Sequence, residues 1–272
     1  MKNASLKEIR AACFSVAALD FFPLLNQSYA GGNSLNQSVR FSLAGYSASF
    51  IGALGNDEAG LKILNLLHKA DVDTSHTVTL PGKTASNRII NDKHGERFGE
   101  EGAWDSGVYD SFLLSTSDWD YIKDFSIWAT HANGANYDAA LKHKKEHNFL
   151  SVDFLHFNTY ELLEKGLDSI DIAYFGGTEN MEDDLCRISK KTKTILVLTL
   201  GAKGSIAFVK GKSYRQSALA IDKVIDTTGC GDAFQAGCTA SFVKNRSIEK
   251  ALLEGAVQGR TAASHYGGVP WL

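Results

Sequence analysis

Between residues 125 and 200 the chain alternates short apolar runs with amphipathic stretches, and this alternation narrows the possible fold more than any other feature. Runs at 125–130, 149–153, 171–175 and 194–200 have strand length, and helical patterns at 135–147, 159–166 and 178–191 separate them. Strands joined through a helix pair in parallel, because the crossover must travel back along the sheet before the next strand begins. The expectation is an α/β protein with a doubly wound, mostly parallel sheet flanked by helices. Apolar runs at 11–19 and 46–52 add two buried strands, followed by helices ending near residues 44 and 70. Such sheets collect ligands beyond the carboxyl ends of their strands. Polar residues that close strands are therefore the first site candidates: Asp20, His131, Asn133, Asp153 and Glu179, each of which also reads as a cap.

Residues 21–30 and 74–100 turn strand-like around polar turns, so residues 1–272 are expected to form one domain with a small β lid built from about these two stretches. A net charge of −3 without a basic block excludes a nucleic-acid partner. No window reaches about 18 uninterrupted apolar residues, and the first ten residues are too polar for a signal peptide, so no membrane role is expected. The four cysteines have no metal or redox spacing and read as free thiols in a reducing compartment, which points to the cytoplasm.

The chemistry is expected between 224 and 242. A β-type run ends at Asp226, Gly229, Cys230 and Gly231 make a small-residue turn, and 233–242 continues as a helix. Gly229 and Gly231 permit backbone angles closed to other residues, so successive N–H groups can face one concavity at a helix N-terminus and hold phosphate. Asp232 stands at its mouth. A bound phosphate repels a carboxylate there, which suits one whose task is to accept a proton from a substrate hydroxyl. The same four residues also read as a plain N-cap.

In its wider setting, Asp-Thr-Thr-Gly-Cys-Gly-Asp-Ala-Phe-Gln-Ala-Gly at 226–237 resembles the C-terminal signature of the ribokinase-like (PfkB) carbohydrate kinases, with Cys230 at the usual Ala position. Gly31-Gly32-Asn33-Ser34-Leu35-Asn36 is similar to the N-terminal signature of the same family. The resemblance spans Asp20 to about Gly268 and implies ATP-dependent transfer of a phosphoryl group to a sugar hydroxyl, with Mg²⁺. Asp232 would be the base, with Gly229, Cys230 and Gly231 as the cradle. Asp20, Gly32, Asn33 and Asn36 would face the sugar, an amide offering both donor and acceptor to a polyol. Asn33 also reads as an N-cap and Asn36 as a solvated helix residue. Glu179 stands where the family has Asn-x-x-Glu and would act near Mg²⁺ through water or phosphate, although the Asn is missing. Thr199, Gly201 and Gly204 match the nucleotide segment Thr-x-Gly-x-x-Gly, which reads equally as a hairpin. Ala262, Ala263 and His265 would lie beside the adenine or a monovalent-cation loop, with Asp226 and Thr228 as candidates for K⁺.

Within the family, residues 19–36 and Arg97-Phe98-Gly99 resemble the fructoselysine 6-kinases. That resemblance implies a fructosamine phosphorylated at its primary 6-hydroxyl, with Arg88, Arg97, Glu100 and Glu101 as candidates for its zwitterionic tail. The arginines also read as surface charges. Fructose, ribose or a nucleoside as acceptor stays open, as does a weakly catalytic sugar-binding regulator, given Cys230 and the incomplete Asn-x-x-Glu. A homodimer through the lid is expected by analogy.

Overall fold

A computed structural model of the chain describes residues 8–99, 102–132, 135–156 and 160–269. In chain order it contains β1 (Arg10–Phe14), β2 (Ala18–Phe22), β3 (Gln27–Gly31), α1 (Asn33–Leu43), β4 (Ser47–Ile51), β5 (Ala53–Gly55), α2 (Glu58–Lys69), β6 (Val78–Leu80), β7 (Ala85–Asn91) and β8 (Arg97–Gly99). There follow α3 (Thr116–Ile122), β9 (Ile127–His131), α4 (Ala135–His143), β10 (Phe149–Asp153), α5 (Glu161–Gly166), β11 (Ile172–Gly176), α6 (Glu182–Ser189) and β12 (Ile195–Thr199). The chain closes with β13 (Ser205–Val209), β14 (Lys212–Gln216), α7 (Cys230–Asn245) and α8 (Ile248–Ala262).

Eight strands form the large sheet in the order β14-β13-β12-β11-β10-β9-β1-β4, parallel from β12 to β4, with β13 and β14 antiparallel. Successive residues of a strand enter different cores. Ala12 and Phe14 of β1 pack with Trp119, Trp128 and Leu185, whereas Ala11 and Cys13 pack with Phe41, Ala236 and Ala240. The sheet therefore carries helices on both faces, as the near-continuous apolar strands require. Among its helices, α7 is buried at every position from Ala233 to Ser241. Its Ala, Gly, Cys, Thr and Ser side chains are small enough for it to lie between the sheet and α8 without a polar outer face.

Three sequence expectations are corrected. The run 11–19 is not one strand: β1 stops at Phe14, and the Val16 carbonyl accepts the N–H groups of Ser34 and Leu35. That turns the chain aside, so Asp20 falls inside β2 of a second, four-stranded sheet of order β3-β2-β7-β8. β6 pairs with β5 as a separate two-stranded ribbon and not with that sheet. No strand ends at Asp226, because 217–228 takes no ladder partner; Ile225 instead donates to the Ala263 carbonyl. Among the described residues no helix is long and apolar enough to cross a membrane.

Candidate active site

A cavity of about 550 Å³ lies where the carboxyl rim of the large sheet meets the N-terminal ends of α1 and α7 and the second sheet. α1 contributes Asn33 and Asn36, with Gly32 just before it; Gly229 and Asp232 come from the start of α7. Asp20 of β2, its cross-strand neighbour Asn87 of β7 and Arg97 of β8 come from the second sheet. Residues more than 200 positions apart in sequence thus share one hollow.

The paired glycines make this approach possible. A side chain on Gly31 would put its Cβ 2.2 Å from the Asp20 carboxylate, and one on Gly32, at φ +99°, would lie 2.7 Å from the Val16 carbonyl. Only hydrogen fits at either position, and Gly32 also holds a conformation unfavourable to other residues.

Behind the glycines lies a network of buried carboxylates and amides. Asn33 Nδ2 donates both to Asp153 Oδ2 at 3.0 Å and to Asp232 Oδ1 at 2.9 Å, and Asn36 Nδ2 donates to Asp232 Oδ2 at 2.7 Å. Both amide oxygens are buried without a donor. Burial pushes the Asp232 carboxyl up to about 7, helped by repulsion from Asp153 and opposed by the two amides and Arg97. Burial likewise raises Asp20 to about 7, against the pull of Arg97, and Asp153 to about 6. On the cavity wall His131 holds Ser15 Oγ at 2.7 Å through Nδ1, and burial lowers its pKa to about 4, keeping the ring neutral.

The cradle differs in detail from the sequence expectation. α7 begins at Cys230, with Gly229 as its left-handed N-cap at φ +73°. The Cys230 N–H turns back to the Thr227 carbonyl at 3.2 Å, whereas those of Gly231 and Asp232 have no backbone acceptor among the described residues. Among the described residues, the N–H groups without an acceptor at this helix end are thus those of 229, 231 and 232; of the expected 229-to-231 cradle only Cys230 drops out. A Cβ on Gly231 would meet nothing within 4 Å, so an anion has room to approach. The Cys230 sulfur lies 4.0 Å from the Asp226 carbonyl, and burial pushes the thiol up to about 12, so it supplies no thiolate.

Asp226 and Thr228, the expected cation ligands, are engaged in a hydrogen-bond cluster. The buried Asp226 carboxylate already accepts four bonds, from Asn91 Nδ2, the Thr228 N–H and hydroxyl, and the Gly267 N–H. The Thr228 hydroxyl is spent in that cluster. His265 does not line the cavity; its ring lies between Arg40 Nη2 at 3.1 Å and the Tyr266 carbonyl at 3.1 Å.

Glu179 and Thr199 sit at the carboxyl ends of β11 and β12, outside the cavity lining. Glu179 is tied to Lys203 at 2.5 Å, and Thr199 Oγ1 donates to the Phe175 carbonyl at 3.1 Å. Gly201, at φ +56°, faces open space, but a Cβ on Gly204 would strike the Gln216 carbonyl at 2.1 Å. Gly204 therefore serves the β12–β13 hairpin. Among the described residues no group of three or more His, Cys, Asp or Glu could hold a metal ion. Asn133, Glu100 and Glu101 lie outside the described residues. Arg88 lies 5.5 Å over the Phe21 ring and does not line the cavity.

Sequence reasoning missed Asn87, Trp104, Ser106, Tyr109 and Asp110, all of which line the cavity. None left a trace: Asn87 is one of four polar residues in β7, and segment 104–110 is irregular and carries no periodicity that points inward.

Comparison with known proteins follows the same lines. The sequence profile described as pfkB family carbohydrate kinase matches residues 26–270. A fructoselysine 6-kinase of Escherichia coli (strain K12) is 26% identical over 254 residues, covering 92% of this chain and 95% of that protein. A fructosamine kinase of Bacillus subtilis (strain 168) is 25% identical over 266 residues, covering 92% of this chain and 89% of the relative. The solved ribokinase of Arabidopsis thaliana, complexed with ribose and ATP, superposes with a TM-score of 0.80 at 21% identity, covering 96% of this chain and 94% of its own, and so shares the fold. Matched along nearly its whole length, the chain belongs to the pfkB family of carbohydrate kinases.

Proposed function

We propose that the protein transfers the γ-phosphoryl group of ATP to the primary 6-hydroxyl of a fructosamine such as fructoselysine. The observation that carries this reading is the Asp232 carboxylate held at the cavity by the amide nitrogens of Asn33 and Asn36, with Asp20 lining the same hollow. A polyol hydroxyl entering the cavity would come beside the Asp232 carboxylate.

Asp232 then takes the hydroxyl proton, and a carboxyl raised to about 7 suits a base working near neutral pH. The Gly231 and Asp232 N–H groups and the α7 N-terminus hold the transferred phosphoryl oxygens, which is the positioning and electrostatic help phosphoryl transfer needs. Thr199, Gly201 and Glu179 mark the nucleotide side. Glu179 offers a single carboxylate, which suits Mg²⁺ arriving on the nucleotide phosphates and screening their charge. The second sheet covers the sugar end and keeps water from competing as acceptor. Leu24 and Phe98 are large apolar residues it leaves exposed, which suits a homodimer formed through this sheet.

A fructosamine is favoured over a neutral sugar by charge. Among the described residues that line the cavity, Asp20, Asp110 and Asp232 outnumber Arg97, and a fructosamine brings a cationic amine where fructose brings none. Kinase assays with ATP and fructoselysine, fructose, ribose or a nucleoside test the assignment. Fructoselysine should give the highest kcat/KM; a clear win by ribose or a nucleoside would refute it.

A further inference from the structure

The cavity has two walls of different character. Asp20, Asn33 and Asn36 are 5%, 7% and 2% exposed, whereas Trp104 and Leu113 on the segment leading into α3 are 48% and 61% exposed. Asp110 on the same segment is also exposed, and it accepts the Ser106 hydroxyl at 3.2 Å, which orients its carboxylate. At about 550 Å³ the hollow exceeds what the roughly twelve heavy atoms of a hexose fill and falls within the ~300–1,000 Å³ typical of sites for larger ligands. The buried wall meets the needs of the sugar hydroxyls. The exposed wall presents a carboxylate, an indole and a leucine, a set that can meet an ammonium group and an aliphatic chain.

We propose that Trp104, Asp110 and Leu113 form a subsite for the amino-acid part of the substrate. Asp110 pairs with its ammonium group, the Trp104 ring lies along the aliphatic chain and faces the positive charge, and Leu113 covers the methylenes. The inference rests on the fructosamine reading. It assigns tail recognition to the segment 104–113, in place of Arg88. In this arrangement the reacting 6-hydroxyl and the C1-linked amine point to opposite ends of the sugar, one toward Asp232 and the other toward the exposed wall.

The test compares kcat/KM for fructoselysine and for fructose, at saturating ATP, in the wild type and in Asp110→Asn, Asp110→Lys and Trp104→Ala. Both positions are at the surface, and an unchanged KM for ATP verifies that each variant is folded. Asp110→Asn and Trp104→Ala should each lower the fructoselysine-to-fructose ratio about tenfold, as a lost ion pair or cation–π contact of about 1.4 kcal/mol would. Asp110→Lys should lower it further, since repulsion replaces attraction. A ratio that stays within twofold of the wild type in Asp110→Asn and Asp110→Lys would overturn the subsite while leaving the fructosamine reading intact. A wild type that phosphorylates fructose or ribose but not fructoselysine would overturn both.

Discussion

Replacing Asp232 by Asn probes the proposed chemistry with little disturbance of the site. The substitution is isosteric and removes one charge and the proton acceptor. Its structural cost is small. Asn33 Nδ2 and Asn36 Nδ2 both donate to the carboxylate, so one of them would face the new amide NH₂. Left so, a donor facing a donor would cost about 1–3 kcal/mol. Asn33 is held by its second bond to Asp153, but Asn36 carries an unused Oδ1, so a half-turn of its side chain gives the new NH₂ an acceptor. Removing the charge also relieves the repulsion with Asp153. The fold should therefore survive, and the loss should appear in turnover. General-base help of about 10²–10⁴-fold corresponds to roughly 2.7–5.4 kcal/mol at 1.36 kcal/mol per decade. Steady-state kinetics with ATP and fructoselysine should show kcat down by at least about 10²-fold, with ATP affinity measured by calorimetry unchanged within twofold. The wild-type kcat/KM should rise with pH through about 7 and level above it, an apparent value shared with Asp20 and Asp153. Turnover by Asp232→Asn within tenfold of the wild type would show that another group takes the proton.

The raised carboxyls also set a stability signature. A carboxyl whose folded pKa lies above its unfolded value stabilises fully below the unfolded value and loses that contribution as pH rises through the folded one. The melting temperature of Asp232→Asn should accordingly gain on the wild type between pH 5 and 8; a gap that stays constant or narrows would contradict the elevation of this group. Gly31→Ala should lower the melting temperature and cut kcat/KM by more than about tenfold, because its Cβ would sit 2.2 Å from the Asp20 carboxylate. Soluble mutant with normal kinetics would mean that Asp20 is free to move. At pH 8 iodoacetamide should react with Cys230 far more slowly in the folded than in the unfolded protein, since its thiol is half-buried and pushed up to about 12, as mass mapping of the peptide can check.

The order of strands and helices was legible because strands buried on both faces leave uninterrupted apolar runs, as at 149–153 and 194–200. The two glycine-bearing signatures were legible for a related reason: a glycine pair that lets a carboxylate or a carbonyl come within contact distance tolerates no substitute, as Gly31 and Gly32 illustrate. The break at Ser15 to Ala17 was hidden, because those residues are as apolar and small as the strand they interrupt. What diverts the chain is the Val16 carbonyl capping α1, a long-range contact with no local pattern. Segment 104–113 stayed silent for the opposite reason. Its placement is set by pairings such as Ser86 with Asp105 and the Val108 N–H with the Lys83 carbonyl, between neighbours that no periodicity announces.

The Asp226 cluster explains how a peripheral sheet can set the geometry of a site whose base lies on a central helix. Asn91 ends β7 and donates to Asp226 at 2.7 Å; one residue on, the Thr227 N–H donates to the Gly95 carbonyl and the Thr227 hydroxyl receives the Arg97 N–H. The β7–β8 hairpin is thereby fastened to the four residues that precede α7, and the Gly267 N–H adds the segment after α8 to the same carboxylate. Arg97 consequently reaches the cavity in fixed relation to Asp232, whose pKa it lowers against burial. A carboxylate that already accepts four donors gains little from a bound cation and much from staying where it is. Asp226 thus acts as a fastening that joins the second sheet to the start of α7 and to the segment after α8.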